Sequence, residues 1–114
     1  MTVGLDMVDD VLAALADPMR RRLLDRLAAH GETTATVLAT ELPVTRQAVV
    51  QHLAVLGQVD LVSSQRLGRE RRYTVRPEPL AATARWMTEV ASQWDDRLAT
   101  IRALAEAAEQ PTDR

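Results

Sequence analysis

The stretch TATVLATELPVTRQAVVQHLAVL, residues 34 to 56, constrains this chain more than any other, because it holds two helix starts separated by a break. Thr34 and Thr45 are each of the hydroxyl type that accepts a hydrogen bond from the first orphan amides of a helix. After Thr34, the residues Leu38, Ala39 and Leu42 recur at helical spacing until Pro43-Val44 interrupts them. After Thr45, the residues Ala48, Val49, Leu53 and Leu56 recur at intervals of three and four, which predicts a helix over Arg46 to Leu56. Two short helices joined by so tight a turn form a helix-turn-helix, expected over residues 33–56.

The flanking segments must serve the same core. A chain of 114 residues closes one core comfortably and two poorly, so residues 1–114 are expected to form a single domain. Met7 to Ala16 places Val8, Val11, Leu12 and Leu15 on one helical face. Asp17-Pro18 then starts a second helix: Asp accepts amide hydrogen bonds at a cap, and Pro at the first position forfeits none. That helix is expected to run from Pro18 to about His30, to bury Leu23, Leu24 and Leu27, and to stop at Gly31.

Beyond Leu61 the pattern becomes extended. LVSSQR and RERRYTV flank Leu67-Gly68 and read as a β-hairpin over residues 61–76, with Tyr73 and Val75 facing the core and Arg72 and Thr74 on the other face. Pro77 and Pro79 are expected to end it. From Leu80 to about Ala108 the residues Leu80, Ala84, Met87, Ala91, Trp94, Leu98, Ile101 and Ala105 alternate intervals of four and three, the seam of a helix that packs along another helix. Gln110 to Arg114 reads as a frayed tail. The expected class is mainly α with a small β-hairpin, in the order α-α-α-α-β-β-α, a winged helix-turn-helix.

Charge is distributed unevenly. The net charge is −2, yet residues 46–76 carry six Arg against two acids, whereas residues 1–45 and 77–114 each carry four Arg against seven acids. A basic block within an acidic chain is the footprint of a surface that meets phosphates on one side only. With no cysteine there is no thiolate metal site and no redox switch, and neither a Ser-His-Asp set nor a glycine-rich phosphate loop points to an enzyme. No apolar run is long enough to span a membrane, and MTVGLDMVDD lacks the pattern of a secretory signal, so the cytoplasm is the expected compartment.

Three segments, ALADPMRRRLLDRLA, LPVTRQAVVQHLAVL and LVSSQRLGRERRY, resemble in register and order the ArsR/SmtB family of winged-helix repressors. The likeness spans Leu12 to roughly Leu104, and the last helix is similar to that of a cysteine-free subgroup. The resemblance implies a homodimer built by the first and last helices, residues 1–16 and 80–108, which binds double-stranded operator DNA at an inverted repeat and represses transcription. Val8, Leu12, Met87, Trp94, Leu98 and Ile101 are then the expected dimer contacts. The metal ligands of sensing relatives, cysteines in the third helix or His and Asp in the last, have no counterpart here: the third helix reads TATVLATEL and the last has no histidine. No metal and no other cofactor are expected.

On that reading Arg46 pairs with guanine, Gln47 with adenine, Gln51 reads one turn further along, and Thr45 caps the helix and reaches a phosphate. The bland alternative is a solvated face. Val50 and Gln51 depart from the family's small polar and basic residues at these positions, which implies either a different operator edge, with Val50 on a thymine methyl, or a lower affinity for DNA. His52, a lone imidazole, supports the helix or contacts the DNA backbone rather than a metal. Arg66, Arg69, Arg71 and Arg72 around Gly68 supply charge to flanking phosphates or the minor groove. Of Arg20, Arg21 and Arg22, one is expected to be structural, with a phosphate role as the alternative. Trp86, Met87 and Trp94 pack the dimer seam or line a pocket for a small apolar effector. A winged helix that docks another protein instead of DNA is the competing class.

Overall fold

A computed structural model describes residues 3–109; the segment from Gln110 onward, expected to be a frayed tail, lies outside them. The element order is α1 (Val3–Ala14), α2 (Pro18–His30), β1 (Thr33–Thr34), α3 (Ala35–Glu41), α4 (Arg46–Gln58), β2 (Val62–Leu67), β3 (Glu70–Val75) and α5 (Pro77–Glu109). Packing divides the chain into a compact unit that ends at Thr83 and a second unit that begins at Ala84.

The caps act as the side chains dictate. Asp17 accepts from the amides of Met19 (2.7 Å) and Arg20 (3.3 Å), with Pro18 at the first position of α2. Burial raises the Asp17 carboxyl, but those two amides and the charges of Arg20 and His52 outweigh it and hold the group below its ordinary value of 3.8. Gly31 closes α2 in the left-handed half of backbone space (φ 82°), donating its amide to the Leu27 carbonyl. Thr34 and Thr45 accept from the amides of Val37 and Ala48.

The end of α4 is closed differently. Asp60 takes a positive φ of 61°, where glycine is the usual residue and Asp is among the few tolerated. Its amide reaches the Gly57 carbonyl (3.1 Å) and the next amide, of Leu61, reaches Leu56 (3.0 Å), the paired bonds of a Schellman closure. The chain turns at once into β2.

Two guanidiniums of α2 cap α1. Arg20 Nε donates to the Ala14 carbonyl at 2.6 Å, and Arg21 Nη1 donates to Leu15. Helix α1 has no basic residue in its own last turn, so these cations supply the charge its carbonyl end favours. The arginine run thus has two structural members where one was expected.

The sheet has the order β1-β3-β2 and is antiparallel throughout. Strand β1, two residues long, pairs Thr33 with Tyr73 and Thr34 with Arg72, and no sequence pattern anticipated it. The hairpin turn is Gly68-Arg69, one residue later than expected; Gly68 has φ 65° at the first central position, where a type II′ turn requires it. Pro77 and Pro79 do not precede the last helix but open it. They occupy its first turn, where a proline's missing amide costs no intrahelical bond. Thr83 Oγ1 donates back to the Pro79 carbonyl at 2.8 Å.

The core gathers Val11, Leu23, Leu27, Leu38, Val49, Leu53, Leu56 and Leu61, each essentially closed to solvent, and Tyr73 covers it from the sheet. Val75 and Leu80 pack at its edge. Among the described residues no helix is long and apolar enough to cross a membrane. Leu53 lies at the middle of the buried face of α4. Leu53→Ala is therefore expected to cost about 2–5 kcal/mol in urea unfolding, since the cavity it leaves is lined from several elements.

Candidate nucleic-acid interface

Helix α4 has one face it must bury and one it cannot. Val49, Leu53 and Leu56 point into the core, which turns Gln47, Gln51, Ala54 and Gln58 outward at spacings of four, three and four. This exposed ridge is polar, small-topped and free of acids. Thr45 and Arg46 stand exposed at its N-terminal end.

Arg46 is not free in all directions. Its Nε donates to Thr36 Oγ1 of α3 at 3.1 Å. Val50, assigned to a base contact, is half-buried and packs on the core between α4 and the wing, so little of it is left for a thymine methyl. His52 is half-buried too, close enough to the start of α2 for its charge to act on the Asp17 carboxylate. It serves the protein side of the helix rather than the ridge. The sequence could not signal either orientation, because periodicity marks a buried stripe without its shoulders.

The wing sorts its arginines by strand alternation. Pairing places Arg66 directly opposite Arg71, on the same face of the hairpin as Ser64 and Tyr73. Arg71 Nη1 donates to Ser64 Oγ at 2.9 Å, a neutral partner. Arg72 lies on the opposite face with its charge already matched, by Glu70 at 3.1 Å and Glu32 at 3.7 Å, and it is the wing arginine least available to a phosphate. Arg66 and Arg69 are exposed, and among the described residues neither forms an ion pair. Like charges opposed across two strands repel, so Arg66 and Arg71 gain from a bound anion. Gly68 shapes the turn that carries Arg69.

The three strands and four helices that frame this ridge have known counterparts. A family model described as a helix-turn-helix domain matches residues 15–65. The HTH-type transcriptional regulator Rv2034 of Mycobacterium tuberculosis is 46% identical over 74 residues, which cover 65% of this chain and 68% of that protein. An ArsR-like transcriptional regulator from Rhodococcus sp. RHA1 superposes with a TM-score of 0.79 at 38% identity, covering 91% of this chain and 97% of its own. The chain belongs to the ArsR family of winged-helix transcriptional regulators. A further ArsR-family candidate, Mb0332 from Mycobacterium bovis, described as a homodimeric winged helix-turn-helix DNA-binding domain, matches at 31% identity with a TM-score of 0.60, covering 82% of this chain and 83% of its own.

In this ArsR-family chain the helix-turn-helix is bolted to α2 by an ionic cluster. Glu41, ending α3, accepts from Arg26 Nε (3.1 Å) and lies 2.8 Å from His30 Nε2. The His30 hydrogen bond, followed by that of Arg26, holds the Glu41 carboxyl below its ordinary value of 4.5 despite some opposing desolvation. Among the described residues no group of three or more His, Cys, Asp or Glu is placed to hold a metal ion.

On the second unit, α5 exposes Met87, Trp94, Leu98, Ile101 and Leu104, and the Arg97 guanidinium lies 5.4 Å from the centre of the Trp94 ring. The cavity beside Val90, Gln93, Trp94 and Arg97 holds about 130 Å³, well below the roughly 300–1,000 Å³ of drug-sized ligand sites. Of the two expected dimer contacts on α1, Leu12 is half-buried, whereas Val8 is only 4% exposed within the protomer and has little surface left to offer.

Because the Glu41 value is depressed in the folded state, its stabilisation is fully present above 4.5 and is lost as pH falls through the lower, folded value. Thermal melts of the wild type and Glu41→Gln should therefore differ at neutral pH and converge as the pH falls below the ordinary value of 4.5 and through the lower, folded one. A difference that persists unchanged into acid would refute the ionic role.

Proposed function

We propose that this DNA-binding transcriptional regulator acts as a repressor, as a symmetric homodimer on an inverted-repeat operator. The observation that carries the reading is the polar ridge of α4, left open by the core and flanked by Arg66, Arg69 and Arg71, which have no carboxylate partner among the described residues. A helix of this kind fits the major groove, where each base pair shows a distinct set of donors and acceptors. Gln47 and Gln51 carry the amides that read bases, adenine above all. Arg66 and Arg69 supply sequence-independent attraction to flanking phosphates.

Dimerisation is supported by the apolar stripe on α5 and by the homodimeric description of the Mycobacterium bovis relative. Two-fold pairing is the commonest way to cover such a stripe. It would set the two recognition helices about 34 Å apart, one turn of DNA. Repression follows from occupancy, since a dimer seated across a promoter excludes polymerase. A winged helix that docks protein instead of DNA accounts less well for the +4 excess carried by residues 46–76.

Two measurements test this. Anisotropy with duplexes enriched from a random pool should show log affinity falling by about 0.9 per log unit of salt for each phosphate neutralised, and Gln47→Ala and Gln51→Ala should relax the base preference at one or two positions each. A shallow salt response, or no enrichment at low salt, would sink DNA recognition and favour the protein-docking class. Ile101→Glu should shift sedimentation from dimer toward monomer and weaken operator binding at least tenfold, while melting of the compact unit is unchanged because Ile101 is 54% exposed in the protomer.

A further inference from the structure

Between the N-terminal end of α4 and the wing lies a cavity of about 260 Å³. Arg46, Arg69 and Arg71 line it, with Thr36 and Glu70, over an apolar side that includes Val50. We propose that this cavity seats one phosphoryl group of the DNA backbone, and that Arg46 is thereby a backbone-contacting residue rather than a reader of guanine. The proposal rests on the DNA-binding reading above and assigns a role within that interface.

Three arginines line a small space with too little negative charge to match them. Arg46 is held by the neutral hydroxyl of Thr36 and Arg71 by that of Ser64. Arg69 has no ion pair among the described residues. The one carboxylate lining the cavity, Glu70, is already engaged through Oε1 by Arg72, two residues along the same strand. Arg66, opposite Arg71, adds further positive charge to the same side of the hairpin. Such a cluster is repulsive until an anion enters.

The chemistry of that anion follows from the donors. Planar guanidinium forks match the oxygens of a phosphate and bind it through two parallel hydrogen bonds, which a lone carboxylate or chloride uses less fully. The N-terminal end of α4, thirteen residues long, adds the positive end of its dipole. The volume equals roughly eight or nine waters at about 30 Å³ each, enough for a phosphoryl group and its bridging waters. The hydrogen bond to Thr36 is what separates Arg46 from Gln47 and Gln51. It draws the Arg46 side chain toward α3 and the wing, whereas the two glutamines stand on the exposed ridge.

The test uses the full chain, a duplex enriched from a random pool, and copies of that duplex in which single phosphates are replaced by uncharged methylphosphonates. Arg46→Ala, Arg69→Ala and Arg71→Ala should each weaken binding by a similar factor on the enriched duplex and on its base-substituted versions, and each should lower the salt slope by about one. All three losses should vanish on the same methylphosphonate duplex. Glu70→Gln should tighten binding. Inorganic phosphate, titrated without DNA, should shift the Nε–Hε resonances of the three arginines together.

Losses that map to different phosphates, or an Arg46→Ala loss confined to one base pair, overturn the assignment while leaving DNA binding intact. If inorganic phosphate shifts the three resonances but no methylphosphonate removes the losses, the seat belongs to a free phosphate and the backbone source is rejected. If the wild type enriches no DNA, the functional reading itself fails, and an unresponsive phosphate titration then removes the seat as well.

Discussion

Burial of one face of α4 is the interaction on which the rest depends. Val49, Leu53 and Leu56 are closed to solvent within the core of the compact unit, so this helix cannot rotate or slide without opening that core. Its other face is therefore fixed as well. The ridge of Gln47, Gln51, Ala54 and Gln58 is presented by the same packing that stabilises the fold. Helices α2 and α3 press on the inner side, and β3 covers the remaining edge through Tyr73.

Electrostatics is arranged around that helix by subtraction. Four acidic groups near the helix-turn-helix are spent on internal partners: Asp17 on amides and Arg20, Glu41 on His30 and Arg26, Glu32 and Glu70 on Arg72. Arg20 and Arg21 are likewise committed, to the carbonyl end of α1. Among the described residues, Arg46, Arg66, Arg69 and Arg71 stay without a carboxylate partner. The positive field of the interface arises from which charges are left over as much as from how many arginines the segment contains.

Local chemistry was legible in the sequence and remote pairing was not. Asp17-Pro18, Gly31, Thr34 and Thr45 each mark a helix boundary through bonds to their own near neighbours, and the structure places all four where the residues suggest. The alternation that put Tyr73 inward also held, because a strand's period is independent of its partner. Strand β1 escaped notice since two residues carry no period, and Pro77 was read as a stop although a proline fits the opening turn of a helix equally well. The surroundings of Arg72, Val50 and His52 were not legible for one reason: each is set by a side chain distant in sequence, Glu32 for Arg72, Tyr73 across from Val50, and Asp17 near His52.

The Schellman closure at Asp60 has a mechanical consequence for the nucleic acid. Only Val59, Asp60 and Leu61 separate α4 from β2, Leu61 is fully buried, and the left-handed Asp60 fixes the direction in which the hairpin leaves. Helix and wing root are thus one body with no hinge between them. A duplex engaging both would have to bring its groove and its backbone to a preset separation, which would favour sequences whose groove width or local stiffness already suits that span. Part of the operator's identity would then lie in how readily it bends.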